Sequence, residues 1–186
     1  MTDVALGVRR QAWGIRACGI VLGAVLVALA AQVSIPLPGT PVPMTLQPMA
    51  VLLVGGLLGP QLGALSMILY LAMGAAGLPV FTPTVPLVGF ARLFGPTGGY
   101  LLSYPLAAYA VGRLADVPTW RRVTFAVVVG LVLIHLGGLA QLAILTGSVS
   151  GAARLATWPF LLGDLLKLVI LVPVLARLTP TVRARL

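Results

Sequence analysis

Negative charge is almost missing from this sequence, and charge of either sign is scarce. Three acidic residues and one histidine occur among 186 residues, and 8% of positions are charged while 60% are hydrophobic. A soluble domain carries about 25% charged residues, because water-facing positions need polar cover. From Cys18 through Ala91 there is no charged residue at all. That stretch cannot furnish a soluble surface; lipid-facing positions need no such cover. Cys18 is the lone cysteine, so no internal disulfide can form, and its apolar surroundings mark it as packing. No GxxxxGK[ST] phosphate loop is present, which excludes ATP hydrolysis by that route. No His, Cys or carboxylate cluster suits a metal, and no serine–histidine or cysteine–histidine set suits catalysis, so the sequence offers neither a catalytic nor a metal site.

What the sequence does have is apolar length. A helix needs about 20 residues to cross a bilayer, and six segments are expected near 16–35, 48–58, 61–76, 98–115, 123–145 and 158–178. The fold class is therefore an all-α integral membrane protein of six spans in one domain. Alternating the segments sends Arg9, Arg10, Arg16, Arg113, Arg121, Arg122, Arg177, Arg183 and Arg185 to one side and Arg92 and Arg154 to the other. Basic residues concentrate on the cytoplasmic face, so both termini are expected there. The net charge of +9 is thus a set of anchors and orientation signals, not a nucleic-acid footprint. Trp13, Trp120 and Trp158 fall at expected interfaces, where an amphipathic ring is favoured. Ala28-Leu29-Ala30 has the form of a signal-peptidase site, but the apolar run continues to Ile35 and is read as a retained span.

The second segment is too short. From Pro48 to Leu58 a helix extends about 16 Å, against a hydrocarbon core of about 30 Å. Pro43, Pro48, Gly55, Gly56, Gly59 and Pro60 surround or interrupt it. Two readings stand: a broken segment bordering a binding cavity, or a short tilted helix held by its neighbours. Two uncharged or nearly uncharged outer loops, 34–47 and 78–97, are rich in proline, which restricts the backbone and lowers the ordering cost. They are expected to be structured, as a lid over an outer cavity or as plain connectors. The pattern LxGPxxGxL occurs at Leu57–Leu65 and again at Leu93–Leu101 and reads as a reused helix start.

Asp164 and Lys167 lie three apart in the last segment, on one helix face and within pairing distance. Each charge at mid-membrane costs about 2.5–3.5 kcal/mol on insertion scales, so the pair is either a structural clamp between helices or a ligand site. It offers carboxylate acceptors and ammonium donors, which suits a ligand with both N–H and C=O groups. Arg92, in the second outer loop, either grips a ligand carboxylate or contacts lipid phosphate. His135 has no acidic neighbour in sequence and reads as a helix–helix hydrogen bond. Gln32, Gln47, Tyr70, Ser103, Tyr104 and Gln141 are further cavity donors with no spacing to rank them. Ala24 and Ala28 form a small-xxx-small pair that lets another helix approach closely.

The runs Pro41-Val42-Pro43-Met44-Thr45-Leu46-Gln47, Leu57–Gly63, Gly77-Leu78-Pro79-Val80-Phe81, Leu93–Leu101 and Gly163-Asp164-Leu165-Leu166-Lys167, with Tyr70 between them, resemble the BioY family. The resemblance spans about Leu22 to Lys167. It implies a biotin-specific substrate-binding subunit, or S component, of an energy-coupling factor (ECF) importer in a prokaryotic cytoplasmic membrane. It implies no enzymatic activity and no cofactor, with biotin as the transported ligand. The partners it implies are a transmembrane coupling (T) component and two cytoplasmic ATPases. Carried over, Asp164 and Lys167 look like contacts to the ureido ring, Arg92 like the partner of the valerate carboxylate, and Ala24 and Ala28 like the AxxxA surface that docks on the coupling subunit. After the Pro-Val-Phe segment this chain reads Thr82-Pro83-Thr84-Val85-Pro86, where many relatives are glycine-rich. The residues alone leave two rivals: a self-sufficient ion-coupled carrier in which Asp164 holds the proton, and an assembly subunit with no ligand.

Overall fold

The computed structural model describes the backbone of residues 2–186 and the side chains from residue 13 onward. The side chains of Arg9 and Arg10, two of the charges used above to orient the chain, lie outside the described residues. The chain order is α1 (Thr2–Gln32), a hairpin of β1 (Ser34–Ile35) and β2 (Met44–Thr45), α2 (Gln47–Leu58) and α3 (Pro60–Ala75). A 3-10 turn (Gly89–Phe94) leads into α4 (Gly98–Leu114), followed by α5 (Trp120–Thr146), α6 (Val149–Ala156), a second 3-10 turn (Trp158–Phe160) and α7 (Leu161–Arg183).

The four middle segments fall where apolar length puts them, within about three residues. The outer two differ. α1 begins far upstream of Arg16 and stops at Gln32, and Ser34 and Ile35 pair with Thr45 and Met44 in the hairpin. Ahead of the last segment stands a helix outside the six expected: Gly147 closes α5 in the left-handed conformation, and Ser148 caps the short α6 by accepting from the Gly151 N–H. α7 starts only after Pro159 and then runs through Pro173 and Pro180 to Arg183, beyond the expected end. Three stretches, Trp13–Gln32, Trp120–Thr146 and Val149–Arg183, are long and apolar enough to cross a membrane.

The exterior is apolar. Leu106 of α4, Phe125 and Leu136 of α5, and Leu162, Leu166 and Val169 of α7 are all more than half exposed. Lipid, as apolar as leucine, leaves no hydrophobic force between helices, so close contact falls to small residues. Gly99 and Gly137 show this at the α4–α5 crossing, where a Cβ on either would strike the other's backbone carbonyl.

α2 sits at the centre, packed by α1, α3, α4, α5 and α7, with Val51 and Leu52 fully enclosed. At about 18 Å for 12 residues it is short, and its last carbonyls end inside the protein. Arg183 of α7 supplies the missing donors. Its Nε and Nη2 donate to the Gly56 carbonyl at 3.1 and 2.8 Å, Nη2 also donates to Gly112 at 2.8 Å, and Nη1 meets Asp116 at 3.0 Å. Gly59 then turns the chain at φ +84°, a left-handed value that disfavours side chains, and Pro60 opens α3. The second LxGPxxGxL copy differs: Pro96 lies within a turn closed by Gly98 N–H to Gly95 O, and α4 begins two residues later.

The small pair on α1 needs a correction. Ala24 has no exposed surface; with Val27 and Ala31 it forms the inward stripe of α1, which packs on α2 and α3. Ala28 is half-buried against the same core. Ala24 thus serves packing within the chain and offers no surface to a partner.

Arg16 Nε donates to the Leu186 carbonyl at 3.1 Å, which brings α1 and the last residues to one end of the bundle, the end that also holds Arg183 and Asp116. The proline-rich loops gather at the other end. Thr40 donates to the Leu155 carbonyl at 2.8 Å, and Ser34 and Thr84 hydroxyls meet at 3.3 Å, tying the loops to α6 and to each other. They are structured, as proline content predicts.

Candidate ligand-binding site

Beneath the two loops lies a narrow cavity. The hairpin loop and the start of α2 contribute Val42, Pro43, Thr45, Gln47 and Pro48. The second loop contributes Phe81, Thr82, Arg92 and Thr97, and the walls are Tyr100, Leu101, Tyr104, Leu131, Ile134 and Phe160. His135, Asp164 and Lys167 complete the lining. Apolar and aromatic walls with a few convergent polar groups are the usual makeup of a small-molecule site. The short α2 therefore does border a cavity, and it is also a helix held by its neighbours: the two readings describe one arrangement.

All three charged residues singled out from the sequence line this cavity. Asp164 Oδ1 accepts from Lys167 Nζ at 2.8 Å, and Oδ2 meets His135 Nε2 of α5. The bond between helices expected of His135 exists, and its partner is the acidic group that local sequence does not provide. Nδ1 of the same ring lies 3.2 Å from the Ala156 carbonyl, which also accepts from the Tyr100 hydroxyl at 2.6 Å. An ammonium has three donors; one of Lys167's is used on Asp164, and the side chain is buried, leaving two toward the cavity.

Arg92 is 1% exposed, which rules out the lipid-phosphate reading. Its guanidinium organises the loop: Nε donates to Thr97 Oγ1 at 3.1 Å, Nη1 to the carbonyls of Val85 and Leu87 at 2.6 and 3.0 Å, and Nη2 to Thr82 O at 2.9 Å. Four of five N–H groups are engaged, so one remains and a bidentate grip is not available in this conformation. No carboxylate pairs with Arg92 among the described residues. Gln141 of α5 holds this turn from below, donating to Leu93 O at 3.0 Å and Gly95 O at 2.9 Å.

The remaining polar candidates separate by position. Gln47 and Tyr104 line the cavity, and Gln47 Nε2 donates to the Tyr70 hydroxyl at 2.6 Å, which reaches the Val80 carbonyl at 3.2 Å. Gln32 and Ser103 instead bond backbone carbonyls, of Ala28 and Tyr100 respectively. Sequence reasoning gave no site role to Tyr100, Phe81 or Phe160, although the first two lie inside the quoted motifs.

The chain matches the profile described as the BioY family over residues 9–184. A protein named "Biotin transporter BioY" from Thermotoga maritima is 37% identical over 158 residues, covering 82% of this chain and 89% of that one. A "Probable biotin transporter BioY" from Pyrococcus horikoshii is 36% identical over 148 residues, covering 80% and 86%. Among solved structures, one described as the S-component for biotin from an ECF-type ABC transporter superposes with a TM-score of 0.80 at 25% identity, covering 89% of this chain and 90% of that one. The motifs around the loops and Asp164, the helical frame that gathers them over one cavity, and a profile match from near one end of the sequence to the other agree: this chain belongs to the BioY family.

Proposed function

We propose that this chain is the biotin-binding membrane subunit of an ATP-driven vitamin importer, with no catalysis of its own. One observation carries the reading: the charges in the cavity do not balance. Arg92 and Lys167 are two buried cations, Asp164 is one buried anion, and with a neutral His135 the site is left with one positive charge. A buried charge without a partner is costly, so a ligand with one carboxylate completes the site. Biotin's acidic tail supplies that charge to the free N–H of Arg92. Its ureido ring supplies an N–H to Asp164 and a C=O to the two open donors of Lys167. Its thioether ring suits aromatic neighbours such as Phe81, Tyr100 and Phe160.

The reading extends to topology. Six spans form one domain, the loop end faces outward, and both termini face the cytoplasm of a prokaryote. The shared end of Arg16 and Leu186 supports an even count of crossings, and the arginine distribution supports the orientation. The relatives' names and the solved S-component support biotin as ligand and an ECF complex, with a coupling component and two ATPases, as the working assembly. Ala28, the partly accessible member of the alanine pair, is the docking candidate left on α1. Asp164 is held between two donors, which favours a fixed acceptor over the mobile proton site a self-sufficient carrier needs.

Binding of radiolabelled biotin to the purified chain in detergent tests the reading, with riboflavin and thiamine as competitors. Tight binding displaced by unlabelled biotin alone is the expected result. Absence of binding by folded protein refutes it. Proteoliposome uptake driven by a proton gradient without ATPases would replace the importer with the carrier.

A further inference from the structure

A second hollow adjoins the binding cavity. It opens on the lipid-facing side between α5 and α7, and its walls are apolar, including Val132, Leu136, Leu165 and Leu168. His135 and Asp164 line this cleft and the central cavity alike. The two side chains therefore form the wall between ligand site and bilayer. On the cleft side the one other polar side chain, Thr157, makes no hydrogen bond to Asp164, whereas Lys167 and His135 hold one oxygen of Asp164 each.

We propose that His135 is a positioning residue that keeps Asp164 turned into the cavity and so selects ligands with an N–H donor; this rests on the biotin reading above. Its ring is itself held. Tyr100 and Phe160 stand with ring centroids 6.2 Å away, and the Ala156 carbonyl lies beside Nδ1. That carbonyl is already served by the Tyr100 hydroxyl. The Asp164 carboxylate at Nε2 has the greater need of a proton, so the ring carries one there. With Oδ2 and Oδ1 each taken once, the carboxylate plane is set, and its remaining lone pairs serve the ligand. Without the imidazole, Oδ2 loses its one donor, and the carboxylate swings about its single tie to Lys167. The acceptor then no longer meets the ligand's N–H, while the tail contact at Arg92 is untouched.

The test compares wild type, His135→Gln and His135→Leu as full chains in detergent. It reads biotin affinity and the concentration of lipoate needed to displace biotin, since lipoate shares the valerate tail and has no N–H. Leucine is expected to weaken biotin about 10- to 150-fold, the range of a hydrogen bond to a charged group, and to lower the preference over lipoate by a similar factor. Glutamine, which reaches Oδ2 with an amide N–H, is expected to restore most of both. Unchanged affinity and preference in the leucine variant, or equal losses in both folded variants, overturn the proposal. A second measurement needs no variant. His135 is the only histidine, so ¹⁵N-histidine labelling gives a single imidazole spectrum. A proton on Nε2 is expected; an unprotonated Nε2 overturns the proposal. If wild type fails to bind biotin while Nε2 is protonated, the ligand assignment has failed and the selection of N–H donors falls with it.

Discussion

The proposed site gives Arg92 two tasks that a single substitution would confuse, and a cycle over ligand and protein separates them. Four of its N–H groups order the second loop through Thr82, Val85, Leu87 and Thr97. Its charge and one remaining N–H face the cavity, where no protein carboxylate answers them among the described residues. Arg92→Met keeps an unbranched apolar stem and removes both. Biotin and its neutral amide are each measured on both proteins by titration calorimetry. A hydrogen bond to a charged group contributes about 1.5–3 kcal/mol, so wild type should prefer biotin over the amide by about 10- to 150-fold. The variant should bind both ligands more weakly, since loop order is lost for both, and should not distinguish them. The coupling across the cycle is then about 1.5–3 kcal/mol, free of the loop contribution common to both ligands. A preference that survives intact in Arg92→Met refutes the assignment of the carboxylate to Arg92 and reduces the residue to loop architecture.

Two other substitutions probe the opposite ends of the molecule. Asp164→Asn keeps one carbonyl for Lys167 but presents an amide N–H₂ where His135 and the ligand bring donors; biotin affinity should fall at least about 10-fold, with a smaller effect on thermal stability. A collapse of melting temperature with normal binding by the folded remainder would make the pair structural. Arg183→Met strips the donors from Gly56 and Gly112 at the far end of α2, some way from the cavity. It should destabilise by about 1–3 kcal/mol, read as a lower melting temperature in detergent, while biotin affinity of the folded protein is unchanged; a large loss of affinity would show that α2 transmits strain to the site.

Several elements were legible because the signal is local and physical. α2 through α5 follow from continuous apolar runs bounded by glycine, proline or charge, which the sequence displays directly. Pro60 marks the start of α3 because a first helical turn does not need the missing N–H. Asp164 and Lys167 share a helix face by spacing alone, and the cost of charge in hydrocarbon makes such a pair conspicuous. The start of α7 falls within three residues of its expected place, while the short α6, which carries Arg154, lies outside every expected segment.

The sequence by itself determined that this is a membrane protein, where most of its helices lie, which family it resembles and which charged residues are candidates for the site. Tertiary structure decided how those residues are used. His135 finds its acid 29 positions away, and Gln141 reaches a turn more than 40 positions before it. Arg92 turns from a free gripping group into a buried one with four N–H groups committed, and Ala24 turns inward. The reason lies in the solvent. In lipid both faces of a helix can be apolar, so hydrophobic pattern does not say which face is buried. That choice falls to small-residue contact, as at Gly99 and Gly137, and to backbone carbonyls that must find a donor, as Gly56 finds Arg183. Both are relations between residues distant in sequence, and only the folded chain brings them together.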